Sequence, residues 1–337
     1  LALVLIGAVA EAFLVHLTDH AEGAAVFFRL ALGQGIELAG FRGDEEHGAG
    51  ILTGGHAGTA HNAGMKLIID WVANHTGWDH HWTKEHPDWY IKDELGRFYD
   101  PNGWEDVIDL NYSNNDMRNA LINAMEYWVK ECDIDGYRCD MAHLVPLDFW
   151  QDARLQCDSI KPLFWLAECD DATYLQVFDT SYAWEWMHVS GNMIKGNATL
   201  MDMRKVLEKY LLQNKLYFTS NHDENSWNGT EYEKYGMAAK TFAVLTATWP
   251  GIPLIYSGQE LPNTKRLEFF HKDQIEWGNT IQLHAFYKTL FAARTSNPAF
   301  GYDAACMVLD TGCDDKILAW LRVKQESKVL VIINFSD

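Results

Sequence analysis

A repeated segment design, starting near residue 65, constrains this chain more than any other feature. A short apolar run ends each time in polar or charged side chains: "MKLIIDWVANH", "DIDGYRCD", "PLFWLAE", "LQVFDTSYAW", "KLYFTSNHD" and "GIPLIYSGQE". Between these runs lie stretches with apolar residues at helical spacing, such as "NDMRNALINAMEYWVKEC", with Asn115 and Asp116 as caps, and "GMAAKTFAVLTAT". Strand alternating with helix predicts a parallel sheet covered on both faces. Six runs that each end in functional side chains suit an α/β protein of the (β/α)8 TIM-barrel class better than an open sheet. The catalytic groups of a barrel collect at the carboxyl ends of many different strands.

This reading divides the chain into four parts. Residues 1–75 form the first part of the barrel, with 1–64 divergent. Residues 76–111 are an inserted loop subdomain after the third strand, rich in Trp, His, Asp and Pro and without a period. Residues 112–298 complete the barrel. Residues 299–337 begin a C-terminal all-β unit, cut short, in which "KILAWLRV" and "KVLVIINFSD" alternate as strands do. Closing a barrel takes eight strands, so residues 1–64 are expected to supply two of them, "LALVLIG" and either "AAVFFRLAL" or "GIELAGF". The opening "LALVLIGAVAEAF" also resembles the apolar core of a signal peptide without its basic start, which favours a secreted or periplasmic location over a cytoplasmic one.

Composition excludes several partners. Twenty-seven Lys and Arg against 47 Asp and Glu give a net charge of −20, which repels nucleic acid and anionic membranes. No later apolar run is long enough to span a membrane. The six cysteines are too irregularly spaced for a zinc ribbon and read as free, mostly buried thiols, although Cys306 and Cys313 could bridge a hairpin. Oligomeric state is not encoded in any of these patterns.

The polar groups at the strand ends are Asp70, Asn74 and His75; Arg138, Asp140 and His143; Glu168; and Asn221, His222 and Asp223. On a strand, Arg138 and Asp140 share one face while Tyr137 and Cys139 take the other. A lone Arg/Asp pair is most often a structural salt bridge. In a barrel mouth, however, three carboxylates repel one another, and at least one must take up a proton, as a general acid requires. Arg138 then supplies the fixed cation that pairs with one of them. The rival readings are a buried polar network and a metal site built from His75, His222 and the carboxylates, which the arginine would oppose.

Four motifs in this order, "DWVANH" (70–75), "GYRCD" (136–140), "WLAE" (165–168) and "TSNHD" (219–223), resemble those of the α-amylase family of retaining glycoside hydrolases. The short insert ending in "VIDLN" is similar to its oligosaccharide- or cyclodextrin-acting branch. The resemblance implies Asp140 as nucleophile, Glu168 as general acid/base and Asp223 as the third carboxylate. It makes Arg138, His75, His222, Asp70 and His143 a supporting and substrate-binding shell, and Asn74 a calcium ligand. The implied substrate is an α-1,4-glucan or oligosaccharide: maltooligosaccharides, cyclodextrins or starch fragments. No cofactor is required for the chemistry. An α-glucosidase or transglycosylase would use the same intermediate, and a non-catalytic barrel is the alternative if residues 1–64 do not complete the fold. The chain departs from the family in residues 1–64 and in offering His143 then Leu144 where many members carry Lys-His.

Overall fold

The computed structural model describes residues 3–4, 13–16, 25–29, 54–278 and 280–336. Its strands are β1 (Leu3–Val4), β2 (Phe13–His16), β3 (Ala25–Arg29), β4 (Lys66–Trp71), β5 (His75–Gly77), β6 (Val107–Asp109) and β7 (Gly136–Cys139). They continue as β8 (Phe164–Ala167), β9 (Thr180–Tyr182), β10 (Lys215–Phe218), β11 (Ile252–Leu254), β12 (Ala305–Leu309), β13 (Ile317–Lys324) and β14 (Ser327–Asn334). The helices are α1 (Gly54–Asn62), α2 (Trp82–Glu85), α3 (Asn115–Cys132), α4 (Leu147–Asp158) and α5 (Trp184–Ile194). After these come α6 (Leu200–Lys209), α7 (Glu231–Tyr235), α8 (Ala239–Thr248) and α9 (His284–Ser296).

The six apolar runs are β4 and β7 to β11, each paired in parallel with the next. Antiparallel β3 and β2 extend this sheet beyond β4, giving the order β11-β10-β9-β8-β7-β4-β3-β2. Cα atoms of β2 and β11 come within 8 Å, so the sheet curls round on itself. The architecture is of the barrel class, with β3 running against its neighbours where a parallel strand was expected, and β2, antiparallel to β3, running again in the direction of β4. An antiparallel pair needs no crossover helix, so a short segment can cover the edge of β4.

Of the two strands expected from the amino-terminal region, one is found in the barrel sheet and the other requires correction. The described residues of "LALVLIG", Leu3–Val4, pair with β14 (Leu3↔Ile332, Val4↔Val331) in the C-terminal sheet, not in the barrel. The edge of β14 that β13 leaves open is a ready partner for any extended backbone. "AAVFFRLAL" supplies β3 to the barrel sheet, but antiparallel. "GIELAGF" lies outside the described residues, as does most of the signal-peptide-like opening. The cap of α3 also moves by one residue. Asn114 is in extended conformation and accepts from the amides of Asp116 and Met117, the orphan donors of the first turn.

Strand alternation explains how the layers form. Tyr137 and Cys139 of β7 and Trp165 and Ala167 of β8 face outward into an apolar layer with Met125 of α3 and Phe149, Trp150 and Cys157 of α4. Tyr137 anchors this layer by donating its hydroxyl hydrogen to the Met125 carbonyl at 2.5 Å. Gly136 lets β7 and β8 approach, since a Cβ there would lie 2.1 Å from the Phe164 carbonyl oxygen. A second layer packs α5, α6, α8 and α9 against β10 and β11, around Trp186, Tyr217, Phe242 and Leu254. The insert is closed at its base by antiparallel β5 and β6.

The C-terminal sheet, in the order β1-β14-β13-β12, docks on the carboxyl end of α8. The Trp320 indole and the Arg322 guanidinium both donate to the Thr248 carbonyl, at 3.3 and 3.2 Å. All six cysteines are free thiols, with Cys132, Cys139, Cys157 and Cys169 buried, Cys306 half-buried and Cys313 exposed.

Candidate active site

Arg138 is the centre of the site because β7 directs it to the inner face of the sheet, where it is only 1% exposed. Its Nη1 lies 2.9 and 3.1 Å from the two carboxylate oxygens of Asp70 at the end of β4, and 2.7 Å from Asp140 Oδ1 just beyond β7. Nη2 lies 2.7 Å from Glu168 Oε1, just beyond β8. Nε donates to the Tyr182 hydroxyl of β9 at 3.2 Å. One guanidinium therefore joins four neighbouring strands through three carboxyls and a phenol.

Local backbone geometry completes the arrangement. Met141 follows Asp140 in the left-handed region, at φ 40° and ψ 44°, an uncommon conformation for a residue with a side chain. That turn aims the Met141 amide at Glu168 Oε2, to which it donates at 2.9 Å. After β10 the chain places His222 and Asp223 together, with Nε2 of the imidazole 3.3 Å from Asp223 Oδ2. Both are half-buried.

A single fixed cation among several carboxyls cannot neutralise them all. Burial pushes Glu168 well above the usual carboxylate range; Arg138 opposes this, while the charges of Asp140 and Asp223 add to it. Asp70 is raised to about 7, again chiefly by burial and against the pull of Arg138. Asp223 is raised to about 6 by burial, with Arg138 and a hydrogen bond to Glu168 acting the other way. The site thus stores protons near neutral pH, next to a carboxylate that is ion-paired and partly open to solvent.

The remaining sequence-derived candidates are distributed around this centre. His75 is on β5, edge-on to Trp104 with centroids 5.5 Å apart, and burial lowers its pKa. Asn74 is buried and donates Nδ2–H to Asp109 Oδ1 at 2.9 Å. Burial and the facing carboxyl of Asp100 raise Asp109 to about 7. His143 is exposed on the turn after β7; its carbonyl accepts from the Tyr174 hydroxyl at 3.2 Å, and its ring acts electrostatically on Asp171, outside the carboxylate cluster. Asp70 and Arg138 lie too deep to present a surface to a sugar, and their position is that of a support beneath Asp140 and Glu168. Among the described residues, no group of three or more His, Cys, Asp or Glu side chains is arranged to hold a metal ion.

Sequence reasoning missed Tyr182 and the Met141 amide. Tyr182 sits in the quoted run "LQVFDTSYAW", but a tyrosine on a buried strand is most often core. A backbone donor leaves no trace in residue identity at all.

Residues 57–296 match the alpha-amylase family model described as "Alpha amylase, catalytic domain". The chain is similar to alpha-amylase MalA of Haloarcula japonica, with 26% identity over 305 residues that cover 82% of this chain and 44% of that protein. It is also similar to a cyclomaltodextrinase of Thermoanaerobacter pseudethanolicus, with 24% identity over 316 residues, covering 82% of this chain and 53% of that protein. Among solved structures it resembles the maltogenic alpha-amylase AmyB from Thermotoga neapolitana, with a TM-score of 0.78 and 27% identity, covering 83% of this chain and 67% of that one. The chain spans about half the length of the curated relatives it matches.

Proposed function

Because the chain belongs to the α-amylase family, we propose that it hydrolyses α-1,4-glucosidic bonds of maltooligosaccharides, cyclodextrins or starch fragments with retention of configuration. One observation carries this reading: Asp140 and Glu168 are each held 2.7 Å from a different terminal nitrogen of the same buried guanidinium. A retaining glycosidase needs such a pair, one carboxylate and one carboxylic acid side by side.

Arg138 holds Asp140 Oδ1, and the other oxygen attacks the anomeric carbon. Glu168 gives its proton to the glycosidic oxygen as the bond to the leaving sugar breaks, forming a glycosyl ester on Asp140. Deprotonated Glu168 then takes a proton from water, which attacks the same carbon and releases Asp140. Asp223 stabilises the positive charge of the transition state, and His75 and His222 bond sugar hydroxyls. Passing the glycosyl group to a sugar instead of water would be transglycosylation. The experiment is product analysis on maltooligosaccharides, pullulan and cyclodextrin, with the anomeric form followed by NMR. Initial release of the α-anomer is expected, and β-anomer release or no cleavage would overturn the reading.

The chemistry uses no cofactor. Calcium, which the family resemblance implies at Asn74, would find there the facing carboxyls of Asp109 and Asp100, a hard oxygen set suited to that ion. Its role would be to tie the insert to β4. Melting with calcium against a chelator tests this. A rise in Tm that Asp109→Asn abolishes is expected, and equal melting under both conditions contradicts it.

A further inference from the structure

Asp223 is followed directly by a second carboxylate that the chemistry above does not use. Glu224 opens the turn Glu224–Asn228 and is 4% exposed. Its Oε2 pairs with Nζ of Lys234 on α7, itself 8% exposed, and its Oε1 accepts from the Asn228 side-chain amide at 2.9 Å. The Glu224 amide donates to Asn221 Oδ1 at 2.8 Å, which ties the turn to the segment after β10.

Lys234 reaches Glu224 across α5. Its Cδ lies 3.7 Å from where a Cβ on Gly191 would be, and Nζ is 3.3 Å from Met187 Sδ. An ammonium in such surroundings is costly unless a carboxylate pairs with it. A buried pair of this kind adds little stability over an apolar pair of the same volume, so its main effect is on the field beside Asp223.

The two successive carboxylates face different surroundings. Asp223 faces Arg138, Asp140 and Glu168 beyond β7 and β8, and it also interacts with Asp70 of β4, His222 and Tyr256. Glu224 faces α5 and α7, where Lys234 is its cation and Glu231, Tyr235 and Lys195 are the other charged or titratable groups near the pair. Burial raises Asp223 to about 6; Arg138 opposes this, while the charges of Asp140 and Glu224 add to it. Asp223 has to be ionised to meet the positive charge of the transition state. We propose that Lys234 is a positioning residue for the reaction: it holds Glu224 toward the helices and offsets its charge, so that Asp223 alone turns a negative charge to the sugar. This rests on the reading of the site as an α-glucan hydrolase.

The test is the pH profile of kcat/KM on maltoheptaose for the full chain and for Lys234→Met, Glu224→Gln and the double variant, each checked for cooperative melting. Carbon NMR titration of the side-chain carboxyls, with Asp223 assigned by Asp223→Asn, accompanies it. Lys234→Met leaves Glu224 uncompensated and should move the acid limb and the Asp223 titration up by roughly 0.5–1 pH unit. Glu224→Gln leaves the ammonium and should move both down by a similar amount, with the double variant between the two. Lowered plateaus with the limb unmoved, or shifts of the same sign in both single variants, would overturn the proposal. If one single variant fails to fold, the direction of the other's shift decides. Opposite shifts in the carboxyl titration without cleavage by the unsubstituted chain overturn only the hydrolytic reading, whereas cleavage without those shifts overturns only the role of Lys234.

Discussion

Arg138 governs the site at the residue scale because one positive charge serves Asp70, Asp140 and Glu168 together. Asp140→Asn keeps an oxygen for Nη1 but removes the nucleophile, so turnover on maltoheptaose should fall on the order of 10^4-fold. Melting should change little, since losing one ion pair is offset by relief of repulsion among the remaining carboxyls. Near-normal turnover in this variant would refute the assignment. Glu168 must carry its proton in the first step, and burial raises its pKa, so the rate should decline as pH rises through that value. Glu168→Gln should remove this basic limb and lower kcat/KM on maltooligosaccharides roughly 10^2- to 10^4-fold, but cost much less on an activated aryl glucoside during glycosylation. Equal losses on both substrates would count against the acid role. The Arg138/Asp140 face was legible from strand alternation alone. Tyr182 was not, because the same alternation serves core and site equally well.

At the scale of elements, the end of β10 is held by a buried network of which Glu231 is the hub. Glu231 Oε1 accepts from Thr219 Oγ1 at 2.6 Å and from Gln259 Nε2 at 2.9 Å, and Gln259 also reaches the Tyr287 hydroxyl of α9 at 2.9 Å. Burial raises Glu231 from 4.5 to about 8, against the bonds from Thr219 and Gln259. The folded state therefore binds this proton more tightly than the unfolded chain. Stability from this group is full below about 4.5 and is lost as pH rises to about 8. Glu231→Gln should melt higher than the unsubstituted chain at pH 9, by on the order of a few kcal/mol, with the gap closing below pH 5. A gap independent of pH would show that Glu231 does not titrate in this range. The six parallel strands were readable because burial on both faces makes each a continuous apolar run. The reversed direction of β3 was not, since a short apolar segment carries no mark of parallel or antiparallel pairing.

For the whole molecule, the amino-terminal strands tie the barrel sheet to its C-terminal neighbour. β3 covers one edge of β4, whose other edge is taken by β7, and β1 covers the edge of β14. Removing residues 1–30 would leave the backbone donors and acceptors of β4 unpaired on one side and open the sheet between β4 and β11. β4 also carries Asp70, which anchors Arg138, so the damage would reach the carboxylates. Unpaired strand edges invite association with other chains, and a domain stabilised by about 5–15 kcal/mol cannot lose a whole edge without consequence. The deletion variant should therefore be aggregation-prone, lose its cooperative melting transition and show no hydrolysis of maltoheptaose. A variant that stays monomeric, melts cooperatively and retains activity would mean that β4 to β11 form a self-sufficient sheet. In that case the antiparallel pair would be an addition to the barrel and no part of its closure.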